Sequence, residues 1–335
     1  MTDFIFLTSA RGGLATGDAY TRRLAASLRA AGHGATLHAP EAAGQGGGQG
    51  GKGPGGEASW WDRLPEGGIP VVDETLLPGC AGCPGRLAQR RALGLFRHGG
   101  SAGVPASVLA ALAGLVTGSA AIAERLRRER GTSPPPVIAL PPGADPAPRA
   151  AGSGGPGCAL LALGALTPAH GHDLLLRALA ALPDLDWRLV IAGDDQRDPT
   201  HAAALRDLAH SLGIAPRVTF AGAVDDTALA ALWHGSDLFA HAARSEAHGM
   251  AVAEALRHGL PVATLAGTEH VPQEAGVIAP PGDWAGLSKA MRRLIFDARL
   301  RQDMAESAWH AGQALPDWQT QARAFLRAVE ETQRC

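Results

Sequence analysis

The sequence predicts two doubly wound α/β domains, each a parallel sheet covered by helices. Three observations predict this class. Strand-like and helix-like segments alternate regularly in both halves of the chain. Residues 147–157, PAPRAAGSGGP, have the composition of a linker between those halves. The length of 335 residues exceeds what one core usually supports and suits two domains of roughly 150 residues each. The expected domains are 1–150 and 151–335, with the last helix as a candidate to pack back on the first domain.

In the first half, the apolar run 4–7 reads as a strand, followed by the Gly-bearing loop SARGGLATGD. A helix is expected near 18–31, with Leu24 and Leu28 on one face. Gly32 and Gly34 mark its end, and 35–38 is a second strand, which completes a βαβ unit. Residues 44–56, GQGGGQGGKGPGG, lack the side chains for a core and are expected to form a mobile insert. Strand-like 69–72 follows, then a helical run ending in a strand over 104–116, a helix over 120–130, and the closing segment VIALPPGAD.

The second half repeats the alternation more clearly. Strand 158–163 leads through the loop GALTPAHGHD to a helix over 173–182. Strand WRLVIAG, a helix over 200–212, strand RVTFAG and a helix over 226–234 come next. Short strand DLFAHA precedes the segment ARSEAHGM, a helix over 250–258, strands LPVATL and GVIAP, and helices from 284 to the end. Doubly wound sheets bind ligands at the carboxyl ends of their strands, so the two domains are expected to face each other across a cleft.

Composition excludes several classes. A net charge of -2, with acidic and basic residues interspersed, offers no footprint for nucleic acid. The start MTDFIFLTSA has a buried-strand pattern rather than that of a signal peptide, and no apolar run reaches the length of a membrane span. Cys80, Cys83, Cys158 and Cys335 are too few and scattered for a disulfide scaffold. The Cys80–Cys83 pair has no second ligand pair for zinc, so free thiols are expected. The expected setting is cytoplasmic. Of 30 basic residues only Lys52 and Lys289 are lysines, a skew that fits a GC-rich coding sequence.

The segment 244–255 carries the most chemistry. Glu246 falls in a strand-to-helix loop and Glu254 about one turn inside the helix that follows. The backbone N–H groups of Gly249, Met250 and Ala251 are the donors of a helix N-terminus and suit an anion such as a diphosphate. Gly249 permits close approach. Glu246 is a candidate acceptor from sugar hydroxyls, and Glu254 from a ribose diol. On spacing alone, two acids near a helix start also serve the helix dipole.

The stretch SEAHGMAVAEALRHGLPVATLAGTEHVPQ resembles the paired-glutamate signature of glycosyltransferase family 4, retaining enzymes with two Rossmann-like domains (the GT-B type). The pattern matches at Glu246, Gly249, Glu254, Ala255, Gly259, Pro261 and Val262, and extends from Gly164 to the loop APPGD. In the first half the resemblance is thinner: Gly12, Gly13, Gly17, LRAAGH, VTGSAAIAERL and LPPGAD. The resemblance implies sugar transfer from a nucleotide-diphosphate sugar, without metal or further cofactor, to a glycan, lipid or small-molecule acceptor. By the same resemblance Glu246 contacts the donor sugar, Glu254 the ribose, and the amides of Gly249 and Met250 the distal phosphate. His98 is implied near donor or acceptor, though a surface histidine fits equally. Gly17 and Asp18 fall in an acceptor-side loop, where Asp18 also suits a helix N-cap.

Where the family carries an Arg and a Lys at the diphosphate, this sequence has Ala165 and His170. His170 made cationic by an adjacent anion is one replacement, and Arg244 swinging in is another. Without either replacement the protein is a degenerate, catalytically weak or inactive relative that binds or scaffolds. His170 and His172 also read as solvated loop residues. A nucleotide-sugar epimerase, membrane-peripheral placement, and Trp60 and Trp61 as sugar-stacking or buried anchors complete the expectations.

Overall fold

The computed structural model describes residues 2–8, 16–39, 61–97, 103–129, 135–244, 249–265 and 271–334. The Gly-rich stretch 44–56 and Trp60 lie outside the described residues. The chain divides into two compact units, Met1–Pro142 with Trp318–Cys335, and Gly143–Asp317. Residues 147–152, expected in a linker, are instead bound into the second unit. Ala150 N donates to His258 O, and Ala151 N and Gly152 N to His234 O. Pairing these backbone groups fixes the segment that composition alone marks as free.

The first unit contains β1 (Asp3–Leu7), α1 (Thr16–Ala30), β2 (Gly34–His38), β3 (Ile69–Asp73), α2 (Pro84–Gln89), β4 (Leu93–Phe96), α3 (Ala106–Ala110), β5 (Gly114–Thr117), α4 (Ala120–Arg128) and β6 (Val137–Ala139). Among the described residues its sheet runs β2-β1-β3-β4-β5-β6, all parallel. Strands β3, β4 and β5 are buried along their whole length, which is why they read as continuous apolar runs. Trp61 is buried in this core with Cys80 and Cys83. Its anchoring role is structural. Burial, with a smaller contribution from Cys83, pushes the Cys80 thiol up to about 12, so it stays protonated and inert.

The second unit contains β7 (Cys158–Leu163), α5 (His172–Ala180), β8 (Trp187–Ala192), α6 (Pro199–Ser211), β9 (Val218–Gly222), α7 (Asp226–His234), β10 (Leu238–His241), α8 (Met250–Arg257), β11 (Val262–Thr264), β12 (Gly276–Ile278), α9 (Trp284–Phe296) and α10 (Ala298–Ala314). Its parallel sheet runs β12-β11-β10-β7-β8-β9. Leu160, Leu175, Leu179, Trp187, Leu189 and Ile191 lie at the centre of its main core. After α10 the chain leaves this unit. Helix α11 (Trp318–Arg334) belongs to the first unit, where Phe325 packs 5.2 Å from Phe4 and Trp318 lies edge-on to Tyr20 at 5.4 Å. Its buried residues Trp318, Ala322, Phe325 and Val329 recur at helical spacing, so one apolar stripe commits it to that sheet.

Candidate functional site

Strand order in the second unit reverses between β10 and β7, and ligands of open α/β sheets bind outside the carboxyl ends of strands at such a switch point. The loops leaving these neighbours are 164–171, which leads into α5, and 242–249, which leads into α8. They are the two segments that the sequence singles out.

Helix starts separate this place from the rest of the unit. Helices α6, α7, α9 and α10 are capped by Asp198, Asp225, Asp283 and Asp297, whose carboxylates accept from His201 N, Ala228 N, Gly286 N and Leu300 N. In contrast α5 and α8 begin at Gly171 (φ 64°) and Gly249 (φ 68°), left-handed residues with no side-chain cap. Glycine is required at Gly171 for a second reason, since an added Cβ would overlap the Ala242 carbonyl oxygen. The two loops therefore touch backbone to backbone, and Arg244 N donates to Ala169 O at 2.9 Å to complete the seam.

Side chains tighten the same seam. The Arg244 guanidinium donates to both carboxylate oxygens of Asp173, at 2.8 and 2.7 Å, and to Pro168 O at 2.6 Å. Burial works to raise the Asp173 carboxyl, but the Arg244 hydrogen bonds and charge together outweigh it and hold the carboxyl below its usual range. Arg244, expected as a mobile cation, is thus bound to α5. The expected result of Arg244→Ala is a loss of about 1 kcal/mol, the upper range for a half-exposed pair with fork geometry. A double-mutant cycle with Asp173→Asn, read by urea unfolding, checks it. The coupling should be full at neutral pH and fade as acid protonates Asp173 below the ordinary carboxylate range.

His170 ends a 3-10 turn that starts after Thr167, with its Nδ1 3.0 Å from Thr167 Oγ1. Its ring stacks on that of His172 at 6.0 Å and 9°. His172, expected in a solvated loop, is 2% exposed and is the first residue of α5. Its Nε2–H donates to Gly164 O at 3.1 Å, the acceptor being a carbonyl. Burial, reinforced by His170, His241 and His201 against that hydrogen bond, pushes His172 down to about 4, so it is neutral at pH 7. Gly164 has φ 147°, and a Cβ there would run into the His170 ring. Ala165 is buried.

Met250, Ala251 and Glu254 lie in the first two turns of α8, each half-buried, with His258 N donating to Glu254 O at 3.0 Å. Glu246 and His98 lie outside the described residues, as do the side chains of Gly17 and Asp18. Helix α1 starts at Thr16, so Gly17 and Asp18 belong to its first turn rather than to the preceding loop. Sequence reasoning passed over Thr167, Asp173 and the burial of His172. Asp173 had the single local signal of an acid in a first helical turn; its pairing with a residue 71 positions away had none. Among the described residues no group of three or more His, Cys, Asp and Glu is placed to hold a metal ion, and no helix is long and apolar enough to cross a membrane.

Residues 154–310, which contain both switch-point loops, match the family described as glycosyl transferases group 1. Through this unit the chain is similar to that family. Among curated relatives, mannosylfructose-phosphate synthase of Agrobacterium fabrum is 30% identical over 184 residues, 52% of this chain and 40% of that protein. The chain spans about half the length of the curated relatives it matches. Sucrose-phosphate synthase from Thermosynechococcus elongatus superposes with a TM-score of 0.76 at 17% identity, covering 100% of each chain. Anabaena HepE in complex with UDP-glucose gives 0.72 at 17%, covering 99% of this chain and 100% of that one. Two parallel six-stranded sheets with interleaved helices are the α/β layout of GT-B transferases.

Proposed function

We propose that the protein transfers a sugar, with retention of anomeric configuration, from a nucleotide-diphosphate sugar to a hydroxyl-bearing acceptor. The observation that carries this reading is the pair of glycine-initiated helices α5 and α8, which open side by side at the β7/β10 switch point. Two helix N-termini at one crevice suit a diphosphate. The donor's nucleotide side is assigned to α8, with Glu254 on the ribose diol and the Gly249, Met250 and Ala251 amides on the distal phosphate. Glu246 is assigned to the sugar and His98 to the donor or acceptor, on the resemblance of their sequence positions. The acceptor oxygen attacks the anomeric carbon on the face from which the diphosphate departs, and the departing phosphate oxygen takes the acceptor proton. HepE is a relative in fold whose complex holds UDP-glucose, which supports a uridine nucleotide as first choice. Gly17 and Asp18 remain assigned to the acceptor side. The acceptor class is a glycan, lipid or small molecule, and free Cys80, Cys83 and Cys158 fit a reducing, cytoplasmic setting.

In this reading His170 takes the place of the family's lysine at the leaving group, and the reaction needs no metal. His172 is the neutral ring that positions it, and Arg244 holds the loop. A melting-shift panel of nucleotides and nucleotide sugars tests the donor assignment; no shift with any of them would sink it. His170→Lys is then expected to raise turnover about tenfold, since a fixed charge-assisted hydrogen bond is worth roughly 1.5–3 kcal/mol. A binding or scaffolding protein without catalysis would show no turnover in either form.

A further inference from the structure

Cys80 and Cys83 lie on the crossover from β3 to β4, where the 3-10 turn Leu77–Cys80 ends and α2 begins. Cys83 N donates to Cys80 O at 3.0 Å, which closes a four-residue turn. Such a turn holds its end Cα atoms within about 7 Å, close to the span of roughly 4.4–6.8 Å that a disulfide bridges. Both side chains enter the same core cluster, with the thiols within hydrogen-bonding reach of each other. The backbone above them faces water, since Pro78, Gly79, Ala81 and Gly82 are exposed.

Packing alone does not call for the pair. A buried free cysteine acts as a small apolar residue and needs no second sulfur beside it. Cys158 is that case: it is buried, burial pushes its thiol up to about 12, and the charges that act on it are Arg301 and Asp237. Cys80 is buried as deeply, but the group that acts on it is Cys83. The pair also differs from that of a dithiol oxidoreductase, whose attacking thiol has a lowered pKa, because burial raises that of Cys80.

We infer that Cys80 and Cys83 form a reversible dithiol–disulfide site, oxidised by exchange with a small disulfide of the glutathione class. Cys83 is 7% exposed where Cys80 is 0%, so Cys83 reacts first. Its thiolate attacks one sulfur of the oxidant, forms a mixed disulfide and releases one small thiolate, which takes up the proton that Cys83 lost. Cys80 then attacks the Cys83 sulfur, and the second small thiol leaves with the Cys80 proton. Two cysteines lose two electrons, and the oxidant is reduced to two thiols. A thiol inert to reagents in solution serves this second step because its target is held beside it. The new bond ties shut the turn that follows β3. The inference holds whether or not the second unit transfers a sugar.

The test uses the full chain. It is equilibrated with mixtures of reduced and oxidised glutathione, quenched with N-ethylmaleimide and cleaved with trypsin. The peptide 64–86 ends at an arginine and carries Cys80 and Cys83 without a third cysteine. On oxidation it is expected to lose two hydrogens and take up no maleimide, and to regain both thiols with dithiothreitol. At one glutathione ratio, the disulfide-to-dithiol ratio should be at least about tenfold higher in the folded chain than in urea, because the fold keeps the sulfurs together. Cys80→Ala is expected to leave glutathione bound at Cys83, whereas Cys83→Ala leaves Cys80 unmodified, which fixes the order of attack. Should either variant fail to fold, the wild-type ratio decides alone. A ratio in the folded chain no higher than in urea overturns the inference. So does glutathione on Cys80 in Cys83→Ala as fast as on Cys83 in Cys80→Ala, or equal modification of Cys158 in the folded wild type.

Discussion

Replacing Glu254 with Gln is expected to weaken nucleotide-sugar binding about 100-fold, because a carboxylate that accepts from two ribose hydroxyls loses charge on both bonds, each worth roughly 1.5–3 kcal/mol. Gln keeps the shape and the helix propensity, and Glu254 sits half-buried one turn inside α8, so the fold should tolerate the change. Calorimetric titration of wild type and variant with the nucleotide sugar chosen by the melting panel gives the ratio. Equal affinity with an intact fold would remove Glu254 from the donor site and leave the helix N-terminus as its sole support.

The second large effect is on stability. His172 carries a pKa near 4 in the folded protein against an ordinary value of 6.5. A histidine whose folded pKa is lowered takes up its proton first in the unfolded chain. Its neutral form therefore contributes fully above about pH 6.5, and stability falls as pH drops from there towards 4, by about 3 kcal/mol in total. Burial at 2% exposure is the largest cause, and neighbouring histidines add to it against the hydrogen bond to Gly164 O. His172→Gln retains an N–H donor for Gly164 O and has no charge to gain. Urea unfolding at pH 7, 5.5 and 4.5 should show the variant losing less stability than wild type over that range. Parallel profiles would mean that His172 already has a comparably low pKa in the unfolded chain or an ordinary one in the fold.

Much of this architecture is legible in the sequence. The strands of both sheets stand out as short apolar runs because parallel strands are buried on both faces, and the helices between them as periodic stripes. Gly249 and Glu254 are legible for a local reason, being a helix start and a residue one turn inside it. The same holds for the loop from Gly164 to Asp173, where glycines mark backbone turns that other residues resist. Local signals ended at pairing. Nothing near Arg244 announces Asp173, and nothing in the run AHGHD says that the second histidine is buried while the first is half-buried.

What the sequence by itself determined is the α/β class, the strand-and-helix order apart from α2 and β4, and the segments that reach the carboxyl edge of the second sheet. Those depend on periodicity and backbone conformation, which neighbours along the chain dictate. Tertiary structure alone decided the rest: that β10 lies beside β7, that α11 joins the first unit, that Arg244 is tied to Asp173, and that His172 is held neutral. The physical reason is common to all four. Each depends on groups far apart in the chain brought together by the sheet, and the desolvation and charge that set their behaviour exist only once that packing has formed.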